Sequence, residues 1–243
     1  MASPRPSTRA RPQLSDEASG YVRGLIMSGE LPPGTAVRAE TIGAALGIST
    51  TPAREALQAL RVEGCLELVP RRGFQVAVLT GQDVRDLFTV QALIAGELAA
   101  RAAAVATADD IAELEALHHE LIAASVRGNL ELLEEKNHSF HREINLIAAS
   151  PKIIWALGLM TRYVPRRFYS SIPGWPQATA DDHAHVLAGI RSHDAQATRL
   201  AMQSHVEHAG ELLAVHFDER TSAGTSGHDT IAALHAEPVH PGL

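Results

Sequence analysis

The sequence predicts a mainly α protein: an N-terminal winged helix-turn-helix followed by an all-α antiparallel helical bundle. Three observations carry this expectation. Apolar residues recur at helical spacing from Leu14 to about residue 219. The pattern breaks into two short strand-like runs only around Pro70-Arg71-Arg72-Gly73. Charge and histidine then divide the chain. Residues 1–80 carry nine Arg, no Lys and seven acids, net +2, while residues 81–243 are net −9 and hold all 13 His, beginning at His118.

The elements follow in order. Residues 1–12 are rich in Arg, Ser and Pro and read as a disordered arm. Leu14, Ala18, Tyr21, Val22, Leu25 and Ile26 recur at helical spacing, and Gly29 to Gly34 makes a turn. A short helix over Glu40–Leu46 stops at Gly47, which can take the left-handed conformation. Ser49 caps the next helix, with Pro52 in its first turn and Gly64 after its end. Leu66–Val69 and Phe74–Val78 then form a hairpin. Beyond Gly81 come helices over about 83–106, from Thr107, over 130–149, from Ser150 to about Tyr169, over 179–192 and over 194–219. The Ser/Gly/Thr/His/Pro tail from Thr221 has little apolar content. The domain reading is therefore 1–12 arm, 13–78 winged domain, 79–219 helical domain and 220–243 disordered tail.

Composition excludes several classes. Cys65 is the sole cysteine, so neither an internal disulfide nor a cysteine-based zinc site is available, and a cytoplasmic, reducing setting is expected. The N-terminal arm lacks the apolar segment of a secretory signal. The sequence shows no apolar run of the ~20 residues that would span a bilayer, so no membrane partner is expected. The overall charge of −7 argues against nucleic acid, but the +2 of the first 80 residues restores that reading.

The first part has the order of a DNA reader. Ser49, Thr50 and Thr51 sit at a helix N-terminus, where hydroxyls and free amides meet phosphate. Arg54, one turn on, can reach a guanine edge, although a salt bridge to Glu55 or Glu63 is the plainer role. Arg71, Arg72 and Gly73 at the hairpin tip can reach the backbone or the minor groove. Gly29-Glu-Leu-Pro-Pro-Gly-Thr35, Gly47-Ile-Ser-Thr-Thr-Pro-Ala-Arg-Glu-Ala-Leu57 and Pro70-Arg-Arg-Gly-Phe-Gln-Val76 resemble the DNA-binding domain of GntR-family bacterial regulators. The resemblance implies DNA-facing roles for Ser49, Thr51, Arg54, Arg72 and Gly73, with Arg38 in addition. Thr50 stands where the family usually has Arg, which implies a shifted sequence preference.

The remainder, from about Gly81 to Phe217, resembles the FCD effector domain of the same family through Asn137-His-Ser-Phe-His141 and Asp182-His183, with His205 behind them. The resemblance implies a divalent metal, Zn or else Ni or Mn, held by His141, His183 and His205 with Asn137. The spacing is compatible with this. Asn137 and His141 share one helical face. His183 and His205 lie each about ten positions from a break near His193, so antiparallel helices bring them level. Many relatives have Asp at the position of Asn137, and an amide oxygen brings no charge. His118, His119, His138, His185, His193 and His208 read as solvated or as standing behind the ligands rather than among them.

The resemblance further implies a homodimer, most often a repressor, reading a palindromic double-stranded operator, with a small-molecule effector, commonly a carboxylate, beside the metal. Arg142, Arg162 and Arg166, with Tyr163, could hold such a ligand. Gln91 stands where relatives often have Arg and implies a less acidic effector. Two other readings compete: the same regulator with a metal-free ligand pocket, and a three-histidine metal hydrolase. The second lacks an adjacent general base, because Glu143 faces away from His141. No enzyme activity is expected.

Overall fold

Helix α1 (Arg11–Ser28) buries Ala18, Val22 and Met27 beneath α3 (Thr50–Val62), which contributes Ala53, Leu57 and Leu60. Between them lie β1 (Ala36–Val37) and α2 (Ala39–Leu46), and after α3 come β2 (Leu66–Val69) and β3 (Gly73–Val76). The computed structural model describes residues 11–164 and 168–234, and contacts divide it into two units. One runs to Leu79 and takes in Gly158–Phe168, and the other holds Thr80–Leu157 and the chain from Tyr169 onward.

The first unit is a winged helix-turn-helix. Gly47 ends α2 at φ 65°, a conformation that costs a glycine nothing. Ser49 occupies the N-cap of α3 in extended geometry, but its side chain makes no capping hydrogen bond. The hairpin pairs Val69 with Gly73 through a tip in which Arg71 has φ 66° and Gly73 φ 82°. The sheet has a third strand that the sequence reading lacked. β1 pairs with β3, in the order β1-β3-β2. Two residues are too few to show a period, and only the pairing with Phe74 and Gln75 makes them a strand.

The second unit contains α4 (Gly81–Val105), α5 (Ala108–Val126), α6 (Leu130–Ala148), the first part of α7 (Pro151–Thr161), a 3-10 turn at Tyr169–Ser171, α8 (Trp175–Arg191) and α9 (Ala195–Leu234). Thr80 and Thr107 each close a capping box with Asp83 and Asp110, and Asn129 caps α6 through the amide of Leu132. The core gathers Leu98, Leu114, Phe140, Ile144, Val186, Ile190 and Met202.

Contacts fix the directions of the helices. Gly189 lies against Thr198 while His183 meets His205, so α8 and α9 run antiparallel. Gly96 lies against Arg199 and Gln203 while Phe88 lies against Gly210, so α4 and α9 are antiparallel too. A Cβ on Gly189 would stand 2.5 Å from Thr198 Oγ1, and one on Gly210 2.5 Å from Phe88 Cβ. These glycines permit the close crossings.

Three expectations change. First, α4 is long and apolar enough to cross a membrane, with a mean hydropathy of 1.3, although no such run was seen in the sequence. Half of that stretch is buried, against α9, α6 and α8. Second, the tail expected to be disordered from residue 220 is helical through Leu234, as a continuation of α9. Extending an existing helix avoids the nucleation cost that a separate segment would bear. Residues 235–243 lie outside the described residues. Third, α1 begins at Arg11, inside the expected arm, for the same reason; residues 1–10 lie outside the described residues.

Candidate DNA-contacting edge and histidine centre

In the first unit Thr50 and Thr51 open α3, Ser49 precedes them, and all three are exposed. Arg54 is one turn further along the same helix, 66% exposed, and its Nη2 lies 3.6 Å from Glu40 Oε1. The expected partners Glu55 and Glu63 do not take it, for Glu63 is held by the buried Arg23 at 2.5 Å. Arg38 caps α2 without a side-chain hydrogen bond and is exposed, as are Arg71, Arg72 and Gly73 at the wing tip. All eight residues read from the sequence as DNA-facing are therefore open to solvent, in two groups, one around the start of α3 and one at the hairpin.

In the second unit three helices converge on a histidine centre. His141 (α6), His183 (α8) and His205 (α9) each offer a ring nitrogen, and these atoms all lie within 4.8 Å of one another. His141 Nε2 is 3.1 Å from His205 Nε2. Two Zn–N bonds of about 2.0–2.1 Å at a tetrahedral angle place nitrogens about 3.3 Å apart, so the pair suits one ion. The His183 ring is fully buried and stacks on Phe140 with ring centroids 4.1 Å apart. Among the described residues neither of its nitrogens has a hydrogen-bond partner. A neutral imidazole always carries one donor and one acceptor, so such a ring is two unmet groups in one place. Asn137, one turn before His141, likewise has a buried Oδ1 without a partner. Three converging ring nitrogens, with those of His183 otherwise unmet, fit a divalent ion, and Asn137 Oδ1 stands one helical turn from His141.

Burial favours the neutral form of His141 and His183, as metal ligation requires. Burial, with His205 nearby, pushes His141 down to about 3. Burial, with His205 and His141 nearby, drives His183 well below its ordinary value. On the outer side, Asp182 Oδ2 lies 3.4 Å from His205 Nδ1 and 3.1 Å from His208 Nδ1. Burial alone would raise the Asp182 carboxyl, but the bonds from these two rings outweigh it and hold it below the usual carboxylate range.

The effector residues read from the sequence fare unevenly. Gln91 is 5% exposed and its Nε2 has no partner. Thr179, one turn before His183, is in the same condition at Oγ1. Arg142 is exposed, because one residue after His141 turns it about 100° away from the centre. Arg162 and Tyr163 fall in the segment Gly158–Phe168, which groups with the first unit and not with the bundle that holds the histidines. Arg166 lies outside the described residues. Among the described arginines of the bundle none is buried.

Sequence reasoning missed the part played by Asp182. Asp182 had only its place beside His183 as a signal. His118, read as either solvated or standing behind the ligands, takes the second place: it is buried, its ring 6.3 Å from that of His183 and 6.4 Å from that of Phe140. It falls in register with Leu114, Leu117 and Leu121, the buried face of α5, and that register was a usable signal.

A winged helix with an open recognition edge, followed by an all-helical domain, is the architecture of a DNA-binding transcription regulator. Residues 14–76 match the model described as bacterial regulatory proteins, gntR family, and residues 86–208 match the FCD domain. The chain belongs to the GntR family and carries an FCD domain. It is 25% identical over 184 residues to the HTH-type transcriptional repressor RspR of Escherichia coli, covering 74% of this chain and 80% of that protein. It is 25% identical over 199 residues to a probable D-xylose utilization operon transcriptional repressor of Paenarthrobacter nicotinovorans, covering 81% and 87%. The structure of E. coli McbR/YncC superposes with a TM-score of 0.63 at 22% identity, over 82% of this chain and 96% of that one.

Proposed function

We propose that this regulator is a cytoplasmic homodimeric repressor whose operator affinity is set by a small molecule bound beside a divalent metal in the helical domain. The observation that carries the sensing part is His183, a fully buried ring with both nitrogens unmet, at the meeting point of His141 and His205. His141, His183 and His205, with Asn137 Oδ1, would hold the ion, which would supply a Lewis-acidic position for an oxygen of the effector. Zinc fits the nitrogen-rich set best, with nickel or manganese as alternatives. Gln91 and Thr179 offer neutral hydrogen-bonding groups for the rest of the ligand. A carboxylate effector would rest on the ion rather than on an arginine, since Arg142 points to solvent.

Operator recognition falls to Arg38, Ser49, Thr50, Thr51 and Arg54 around α3, and to Arg71, Arg72 and Gly73 on the wing. Two copies would read half-sites about 34–36 Å apart. Exposed Val90 and Leu93 on α4 and Trp155 on α7, the last 65% exposed, support self-association of the helical domain. The repressor sense is supported by the relatives named as repressors.

A second reading has its own observation: the 3.1 Å contact between His141 and His205 is also a good imidazole–imidazole hydrogen bond, as a metal-free pocket would have. Elemental analysis of protein prepared with added zinc decides between the two. About one ion per chain supports the metal centre, and a small fraction of one overturns it. The sensing claim is tested by operator titration at fixed salt with a panel of small carboxylates and sugars. A compound that binds the helical domain yet leaves operator affinity unchanged sinks it.

A further inference from the structure

Asp182 directly precedes His183 on α8, so its side chain leaves the helix about 100° away from that of the buried ring. It does not enter the centre. It stands behind it, 20% exposed at its side chain, with Oδ2 facing the Nδ1 atoms of His205 and His208 from α9. An ionised carboxylate only accepts hydrogen bonds, so the nitrogen facing it must carry the proton. A neutral imidazole protonated at Nδ1 has its lone pair on Nε2. In His205 that Nε2 is the atom 3.1 Å from His141 Nε2. The carboxylate on the outside therefore decides which nitrogen of His205 is presented on the inside.

We propose that Asp182 is the positioning residue of the histidine centre. It holds His205 as the Nδ1–H tautomer with Nε2 turned toward the ion, and it supplies the negative charge that the neutral Asn137 does not. The proposal rests on the metal reading above. Three imidazoles and an amide oxygen leave the full double charge of a divalent ion uncompensated. A carboxylate bonded to the far side of one ligand raises that ligand's basicity and offsets part of the charge without occupying a coordination position. His208 reaches the same oxygen from the surface, with its side chain 47% exposed, and shares the anchor without facing the centre.

The test uses full-length protein labelled with 15N at histidine, as wild type and as Asp182→Ala, Asp182→Asn and Asp182→Glu. Zinc affinity is measured by competition with a chelator, and the protonated nitrogen of His205 is read by NMR in the metal-free state. In wild type His205 is expected to be protonated at Nδ1. Asp182→Ala should lose that tautomer preference and bind zinc about 10–100-fold more weakly. Asp182→Asn keeps an acceptor oxygen without the charge, so it should keep the tautomer and lose part of the affinity. Asp182→Glu should recover most of both. If Asp182→Ala fails to fold, the Asn and Glu variants, which preserve side-chain bulk, carry the comparison. Unchanged tautomer and unchanged zinc affinity in Asp182→Ala, or in Asp182→Asn an affinity equal to wild type, would overturn the assignment. If wild type binds no zinc, the metal reading fails by itself, and the NMR comparison of metal-free proteins still decides whether Asp182 orients His205.

Discussion

Phe140 and His183 stack face to face, with ring centroids 4.1 Å apart and planes inclined by 16°. Phe140 comes from α6 and is itself fully buried among Leu114, Leu117 and Ile144. A ring anchored in the hydrophobic core thus sets the plane of a ring in the polar centre. The stack explains how a fully buried imidazole holds one orientation with no hydrogen bond to fix it.

The first prediction follows from that relationship. An unmet buried polar group costs about 1–3 kcal/mol. His183→Phe keeps an aromatic ring against Phe140 and removes both unmet nitrogens. In chelator, the variant should be at least as stable as wild type by urea denaturation. With zinc, wild type should gain stability and the variant should not. A variant much less stable than wild type in chelator would mean that His183 is a satisfied structural residue.

The pH dependence of the metal-free protein has a definite sign. Burial keeps His183 well below its ordinary value, and His141 down to about 3, while an unfolded histidine titrates near 6.5. Between those values the unfolded chain binds more protons, so stability rises with pH and falls as pH drops below about 6.5. For the fully buried His183 the slope is about 1.4 kcal/mol per pH unit. Denaturation midpoints in chelator at pH 7.5 and pH 5.5 check this, and equal midpoints would contradict it. Zinc affinity should fall in the same direction, since protons compete for the same lone pairs.

Arg54 is exposed and, among the described residues, held by a 3.6 Å contact to Glu40 that it can exchange for DNA. Arg54→Ala should weaken specific operator binding by about 1–3 kcal/mol at fixed salt and leave thermal stability within about 0.5 kcal/mol of wild type. Arg72→Ala should weaken binding to all sequences more evenly if the wing meets the backbone, with a shallower salt dependence. Titrations against the operator and a scrambled duplex separate the two.

The Thr107 box supplies two bonds at the start of α5, from Asp110 N to Thr107 Oγ1 at 3.2 Å and from Thr107 N to Asp110 Oδ2 at 2.8 Å. Thr107→Ala should cost about 0.5–2 kcal/mol. Operator affinity and zinc stoichiometry should stay unchanged, because the box touches neither the α3 edge nor the histidines. A circular-dichroism melt with both binding assays checks it.

Much of this was legible residue by residue. Gly47, Gly64 and Thr107 mark helix ends because their conformational preferences are local. The pairing of His183 with His205 is legible because α8 and α9 are joined by a short turn, which makes them antiparallel neighbours. Arg142 is exposed because it lies on a different helical face from its neighbour His141. Nothing in the spacing of Arg162 and Tyr163 says which unit they join, and only contacts group them with the first.

Residue pattern alone, then, set the helices, their caps, the wing and the family, since periodicity and turn chemistry act over a few residues. The order in which histidines meet, the stack of His183 on Phe140, the strand at Ala36–Val37 and the reach of Asp182 to His205 came only from tertiary structure. Each depends on which faces of distant helices or strands come together, and on backbones near enough to touch, as at Gly189 against Thr198. Local sequence constrains a face to be buried; the packing of the other elements decides what it is buried against.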